Sequence, residues 1–434
     1  MNRIKQLYEQ FILNPIVTTD SRICQSGSIF FALKGGSFDG NLYALDALKK
    51  GCRLAVVDDA SLKNEKHIFF VDDVLIALQQ LANYHRTCLN IPIIGITGSN
   101  GKTTSKELIV AVLKKKYNVF YTQGNLNNHI GVPLTLLSMN SSTEIGVVEM
   151  GANHLKEIEE LCNIADPDFG LITNIGKAHI EGFGSEEGIR VTKGELYDHV
   201  SAKGGVLFVN AGSAILMNMS TQCKRVLYSQ FDCESKVYAA NIEVDLFLNF
   251  KCNIRNEEKV SLDIETKLIG SYNVENVLAA IAIGNYFKVD NHDIVDGIRM
   301  YSPSNNRSQM VKTQRNTLLL DAYNANPSSM KVALENFELL KADKKIVVLG
   351  EMKEMGAISF EEHLNLVNWA KNHRGVKSIF IGNEFSKHIQ NGEFDWFVNV
   401  DDLIKYLSNN SLIGYHILIK GSRSNQLERI KDYL

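Results

Sequence analysis

The sequence lacks the features that mark several large classes of protein. No apolar run approaches the roughly 20 residues that span a bilayer, which argues against a helical membrane span. Lys5, Glu9 and Asn14 interrupt the only apolar stretch near the N-terminus, so no secretory leader is expected. Basic charge is not in excess: 46 Lys and Arg against 49 Asp and Glu leave a formal net charge of -3. Such a balance draws in neither nucleic acid nor an anionic membrane, although a local basic site for a phosphorylated substrate stays open. Seven cysteines (Cys24, Cys52, Cys88, Cys162, Cys223, Cys233 and Cys252) make an odd number with no CxxC pair. They read as reduced thiols in a reducing compartment and not as a disulfide frame. Internal repeats and low-complexity segments are also missing. What is present is a globular composition, 45% hydrophobic and 22% charged. A soluble, cytoplasmic chain is expected, with nothing to suggest an obligate partner, so a monomer. Its 434 residues suffice for about three domains.

The chain divides into three stretches. Residues 1–91 alternate short strands (28–33, 54–57 and 67–71) with helical segments, among them 74–88, where Leu75, Leu78, Leu81 and Ala82 recur at helical spacing. Pro92 punctuates the chain, and residues 92–310 then follow a βα rhythm with strands at 93–96, 119–122, 145–150, 169–173 and 206–210. Their unbroken apolar character predicts a parallel sheet covered on both faces. Between 226 and 269 the pattern turns to alternation, as at 245–250 and 260–266, which predicts a small antiparallel patch before a helix over 276–287. Residues 311–434 resume the βα rhythm, with strands at 317–321, 346–349, 378–381 and 416–419. Asn326 before Pro327 predicts a capped helix start. The fold class is therefore α/β in three domains: a small mixed one, a central P-loop ATPase-like one with a mostly parallel sheet, and a C-terminal Rossmann-like one. Nucleotides in such sheets bind at the carboxyl ends of strands.

Four segments could carry chemistry. Thr97-Gly98-Ser99-Asn100-Gly101-Lys102-Thr103-Thr104 joins a buried strand to a helix over 104–115, as a phosphate loop must. Its backbone N–H groups and the helix N-terminus would face an anion, Lys102 the β- and γ-phosphates, and Thr103 a Mg²⁺ ion. The strict GxxxxGK[ST] pattern asks for glycine where Ile96 stands; the alternative is a glycine-rich turn with a surface lysine. Glu149, at the end of a strand, is placed either to hold Mg²⁺ or to pair with a nearby cation. His179, in the loop from Thr173 to Gly184, and Lys193, on the following helix, are by themselves as consistent with ordinary surface or core residues. Asp321-Ala322-Tyr323-Asn324-Ala325-Asn326-Pro327 gathers an acid, a phenol and amides at a strand end, suited either to ribose and phosphate or to turn and cap formation.

In this order the segments resemble the Mur ligase family, the enzymes that build the peptide of bacterial cell-wall precursors. The matching stretches are TGSNGKTT at Thr97, GNLNNHIGVPLTLL at Gly124, EMGANH at Glu149, TNIGKAHIEGFGS at Thr173, KGE at Lys193, NVENVLAA at Asn273, DAYNANPSSM at Asp321, LGEMKEMG at Leu349 and KGSRS at Lys420. The resemblance implies an ATP- and Mg²⁺-dependent, ADP-forming ligase that joins a carboxylate to an amine through an acyl phosphate. The GNLNN, YNANP and AHIEGFGS stretches imply UDP-N-acetylmuramoyl-tripeptide and D-alanyl-D-alanine as its substrates. It implies Mg²⁺ at Thr103, Glu149, His179 and Lys193, the last as a carbamate, and a catalytic role for Lys102 with those side chains. ATP would be held by Gly98, Ser99, Asn100, Gly101, Lys102, Thr103 and Thr104, with Asn273, Asn276 and Arg307, and by Asp321, Tyr323, Asn324 and Asn326 from the last domain. Asn125, Asn127 and Asn128 would face the muramoyl peptide, and Ser21, Arg22 and Lys34 the uridine nucleotide. Departures from the family pattern are Tyr272 in place of a histidine, Asn306 in place of a glycine and Ala322 in place of an aspartate. Because the ATP contacts lie in two domains, the last domain is expected to swing inward about a hinge near 308–314. The rival readings are another ligase of the superfamily, of the muramoyl-peptide or folylpolyglutamate type, a simpler P-loop phosphotransferase, and a non-catalytic nucleotide-binding protein.

Overall fold

Three main sheets and one two-strand ribbon make up the computed structural model, which describes residues 2–434 apart from 178, 232–234, 246, 256–258, 305 and 391. Six cysteines are free thiols; Cys233 lies outside the described residues.

The first sheet is parallel, with Val17–Thr18, Ile29–Phe31, Leu54–Val57 and Ile68–Phe70 in that order. The helix Val74–Leu89 follows, capped by Asp73, whose side chain accepts the Ile76 N–H at 2.8 Å. It ends on Asn90 in the left-handed region, at φ 49°. The buried stripe of Leu78, Leu81 and Ala82 enters a core that continues without a break into Ile93, Val132, Leu136 and Leu196 of the next sheet. On its polar side Gln79 donates to Glu160 at 2.9 Å and Arg86 to Asp168 at 2.7 Å. The first two sheets therefore share a hydrophobic core, and moving one against the other would open it.

The second sheet has nine strands. Its order is Lys259–Glu265, Leu248–Arg255, Val237–Val244, Lys224–Ser229, Val206–Asn210, Phe169–Ile172, Ile93–Thr97, Ile145–Glu149 and Val119–Tyr121. The last seven run parallel, and the first two join as antiparallel neighbours. The antiparallel patch read from the sequence thus extends the parallel sheet instead of standing apart. The strand expected over 245–250 starts only at Leu248, and Val237–Val244 is a strand that the alternation did not reveal. Its second half is exposed on both faces, so it carries no period-two signal. Helix Asn291–Met300 lies against the edge strand Lys259–Glu265.

From Ile93–Thr97 the chain first builds outward on one side, through Val119–Tyr121 and Ile145–Glu149, and then returns to the other side with Phe169–Ile172. Open α/β sheets bind ligands beyond the strand ends at such a reversal. The third sheet has the order Gln309–Lys312, Thr317–Asp321, His416–Lys420, Lys345–Gly350, Val376–Ile381 and Asp395–Phe397, parallel except for its first strand. The stretch expected to serve as a hinge, 308–314, is mostly this first strand, paired to Thr317–Asp321. Any pivot has to precede Gln309, because bending within the strand would break its ladder. Most of the third sheet's buried apolar residues form two clusters of their own, one on each face.

Candidate active site

The strand Ile93–Thr97 is buried at every position and delivers the chain to the reversal point. Ile96 lies inside that strand, which is why a glycine is not needed there. The turn itself needs two. Gly98 has φ +140°, and a Cβ on it would stand 2.0 Å from Thr173 Oγ1; Gly101 has φ +78°, and a Cβ on it would meet Asn276 Oδ1 at 2.7 Å. Side chains are excluded at both places by conformation and by space. The loop is held from across the reversal: Ser99 N–H donates to the Asn174 carbonyl at 3.0 Å, Asn100 N–H to Asn174 Oδ1 at 3.0 Å, and Thr173 Oγ1 to the Asn100 carbonyl at 2.6 Å. Helix Lys102–Leu113 starts on Gly101 without a side-chain cap, which leaves its first N–H groups for an anion.

Lys102 curls over this turn, its Nζ donating to the Gly98 carbonyl at 2.7 Å and the Ser99 carbonyl at 3.3 Å. Burial pushes its ammonium down to about 8, against the attraction of Glu149. Thr103 Oγ1 sits 3.0 and 3.2 Å from the two Glu149 oxygens. Asn127 Nδ2 donates to Glu149 Oε1 at 2.9 Å, and Lys106 Nζ stands 3.5 Å from Oε2 while donating to the Thr122 carbonyl at 2.8 Å. Burial alone would raise the Glu149 carboxyl, but Lys106, then Lys102 and Asn127, outweigh it and hold it below the usual carboxylate value. A hydroxyl and an ionised carboxylate meeting at one point are hard oxygen donors of the kind Mg²⁺ takes when it keeps part of its water shell. The donor set fits that ion.

Lys193 is 2% exposed, its Nζ 3.4 Å from the Ala152 carbonyl and 5.2 Å from the centre of the Phe183 ring. Burial, and then the charge of Lys102, push it down to about 7. A neutral amine is the form that adds carbon dioxide, so this setting suits carbamate formation. His179 donates its Nδ1–H to Glu354 of the third sheet's unit; burial is the main force that lowers its pKa and keeps the ring neutral.

The third sheet faces this assembly across a cleft of about 790 Å³. Asp321 and Lys420, register partners on adjacent strands, form an ion pair at the strand ends. Asp321 also accepts the Ser308 N–H at 3.1 Å, and the Arg307 guanidinium lies over the Tyr323 ring at 3.6 Å. Asn326 caps helix Pro327–Leu339 through a reciprocal box with Ser329, and its Nδ2 reaches across to Asn100 Oδ1 at 2.8 Å. It is therefore both a cap and a bridge. Asn276 Oδ1 accepts from Ser105 at 2.9 Å and its amide donates to Asn273 at 2.8 Å. Tyr272 is tied to Ser308 by a 2.8 Å hydrogen bond between hydroxyls.

Of the residues singled out in the sequence, all those of the phosphate loop from Ser99 to Thr104, with Glu149, His179, Asn125, Asn127, Asn128, Asn273, Asn276, Arg307, Asp321, Tyr323, Asn324 and Asn326, line this one cleft. Gly98 and Lys193 stand behind its wall. Ser21, Arg22 and Lys34 do not line it: Arg22 is exposed and paired with Asp20 at 2.7 Å, and Lys34 with Asp58 at 2.8 Å, on the first sheet's unit. Lys106, Asn174, Lys420 and Glu354 carry contacts here that no motif role foretold. For Lys106 a signal exists, since it lies one helical turn beyond Lys102 and so on the same face. Lys106→Met is expected to destabilise the fold by about 3–5 kcal/mol, because Glu149 is left buried without its nearest counter-charge. Thermal unfolding reads this, and an unchanged midpoint would show that the pair is dispensable.

The same parts recur in known proteins. Residues 15–86 match the family model described as Mur ligase family, catalytic domain; 96–284 match the Mur ligase middle domain, and 306–423 the Mur ligase, glutamate ligase domain. The UDP-N-acetylmuramoyl-tripeptide–D-alanyl-D-alanine ligase of Bacillus subtilis is 35% identical, over 98% of this chain and 94% of its own length. A crystal structure of MurF from Acinetobacter baumannii superposes with a TM-score of 0.86 at 29% identity, covering 96% of this chain and 92% of that one. MurF from Thermotoga maritima, solved in complex with ADP, shares the fold with a TM-score of 0.84 at 24% identity, over 96% of both chains. With an end-to-end relative at that identity and all three family domains in order, this chain belongs to the Mur ligase family.

Proposed function

We propose that the chain adds D-alanyl-D-alanine to UDP-N-acetylmuramoyl-tripeptide, with ATP converted to ADP and phosphate, to give the pentapeptide precursor of peptidoglycan. The observation that carries this reading is the likeness to the Bacillus subtilis ligase of that name across 98% of the chain, with residues 15–86 matching a family model of their own. A folylpolyglutamate-type ligase would have no use for a uridine-nucleotide unit there. The reaction belongs in the cytoplasm, where ATP and UDP-linked precursors reside. No helix among the described residues is long and apolar enough to cross a membrane.

A carboxylate oxygen of the tripeptide attacks the γ-phosphorus of ATP, the bond to the β,γ-bridging oxygen breaks, and ADP leaves. The amine of the dipeptide then attacks the acyl phosphate carbonyl, loses a proton, and expels inorganic phosphate. Two anions must meet in the first step. The loop N–H groups and Lys102 spread the charge of the phosphate tail, and Arg307 adds a second cation from the far side of the cleft. Thr103 and Glu149 would hold one Mg²⁺, and His179 with carbamylated Lys193 a second; when bound, they neutralise phosphate oxygens. Asn273 and Asn276 face the nucleotide from the second sheet, and Asp321, Tyr323, Asn324 and Asn326 from the third. Asn125, Asn127 and Asn128 border the side open to the peptide, while Ser21, Arg22 and Lys34 take the uridine nucleotide.

ADP release from ATP and UDP-N-acetylmuramoyl-tripeptide should depend on D-alanyl-D-alanine. Release driven equally by a single amino acid on a shorter precursor, with none from the dipeptide, would transfer the chain to another branch of the family.

A further inference from the structure

His179 and Glu354 meet across the cleft from different sheets, and both stand on strained backbone. His179 has φ 55° and Glu354 φ 61°, the left-handed region that costs a residue with a Cβ, less for histidine than for glutamate. Gly356, two residues on, takes φ +52°, a conformation that favours glycine, although a Cβ there would make only an ordinary contact with Glu181 at 3.6 Å. Strain at both ends of one contact is retained only where the surroundings fix it. The contact itself has a recognisable form. A histidine that binds a metal through one ring nitrogen usually donates its other N–H to a carboxylate, which sets the tautomer and the ring's direction. Here Nδ1–H is given to Glu354, so the ring's remaining basic atom is Nε2. Glu354 cannot be a structural necessity of its own unit, since its side chain is 54% exposed and its backbone lies in a loop after Lys345–Gly350.

We infer that Glu354 is a positioning residue that ties inward movement of the third sheet's unit to completion of the His179 metal position. The loop carrying His179 belongs to the second sheet, so its ring is held in the binding tautomer only while the third unit is docked. Metal capture at His179 and domain closure then favour each other, and the acyl phosphate forms only in the closed arrangement. This rests on the reading of His179 as a metal ligand.

The test uses the full chain with a non-hydrolysable ATP analogue and Mn²⁺ as the probe, counting bound Mn²⁺ by electron paramagnetic resonance and following compaction by solution scattering. Glu354→Ala is expected to leave the first Mn²⁺ in place and weaken the second by about 10-fold or more. It should also abolish the Mn²⁺-dependent part of the compaction, with Glu354→Gln restoring some of both because its amide oxygen still accepts from Nδ1–H. Two Mn²⁺ bound as tightly in Glu354→Ala as in the wild type, or undiminished compaction, would overturn the inference. His179→Ala separates the two ideas. If it too binds two ions normally, the metal reading of His179 is what fails; if it loses the second while Glu354→Ala keeps it, only the coupling fails.

Discussion

Lys102→Ala should reduce ADP formation by on the order of 10²–10³-fold or more, the scale on which removing a preorganised charge-stabilising group acts. The chemistry demands that a carboxylate approach a polyphosphate. Around the point where they meet the structure supplies few cations. Lys106 is committed to Glu149 and to the Thr122 carbonyl, and Lys420 to Asp321. Of these three lysines, Lys102 is the one whose hydrogen bonds go only to the carbonyls of Gly98 and Ser99, contacts it can exchange for phosphate oxygens without uncovering a buried acid. With its ammonium pushed down to about 8, most of it is still charged at neutral pH. The variant should fold, because the side chain fills no part of the apolar core. Circular dichroism and nucleotide-analogue titration check the fold while coupled release of ADP checks the rate. Turnover within a few-fold of the wild type would remove Lys102 from the mechanism.

Lys193→Met should act in opposite directions on activity and stability. Burial holds the Lys193 ammonium at about 7, against 10.5 for a free lysine. Its folded value is thus depressed, and the unfolded chain binds the extra proton throughout that window. Stability due to this group therefore rises as pH increases from about 7 toward 10.5, and the cost of burial is felt in full below pH 7. Methionine has a similar stem and no charge, so the variant should be more stable by on the order of a few kcal/mol at pH 6, and the gain should vanish near pH 10. Turnover, in contrast, should fall by on the order of 10²-fold, as loss of a group that holds charge-stabilising ions implies. Added bicarbonate should stimulate the wild type and leave the variant unmoved. Equal stability of the two at pH 6, together with equal turnover, would mean that this lysine is neither strained nor used.

Much of this was legible in the chain, because the strongest signals were local. A buried strand, two glycines and a GKT triplet specify the phosphate loop within the eleven residues 93–103, and Asn326–Pro327 marks a helix start by capping chemistry alone. The parallel strands could be read because burial on both faces makes them continuously apolar. Three things were hidden. Val237–Val244 runs half in solvent and so has no periodicity. The second role of Asn326, its reach to Asn100, depends on a meeting of segments 226 positions apart. Glu354 lies within the LGEMKEMG stretch, but nothing local gives that glutamate a role; only the tertiary contact with His179 does. The resemblance to a family supplied the order of the motifs, but not the partners of Lys106 or the pairing of Asp321 with Lys420.

The breadth of the nine-stranded sheet has a consequence for solubility at high concentration. A sheet that does not close on itself has two rims, each with unpaired backbone groups to which a stray strand from another copy could add. At one rim Val119–Tyr121 is only three residues long, too short to template a partner. The other, Lys259–Glu265, turns Lys259, Asp263 and Glu265 outward and is flanked by the helix Asn291–Met300. A strand adding there would have to settle among these charges, and one adding at the short rim would find few groups to pair with, so polymerisation through either rim is disfavoured.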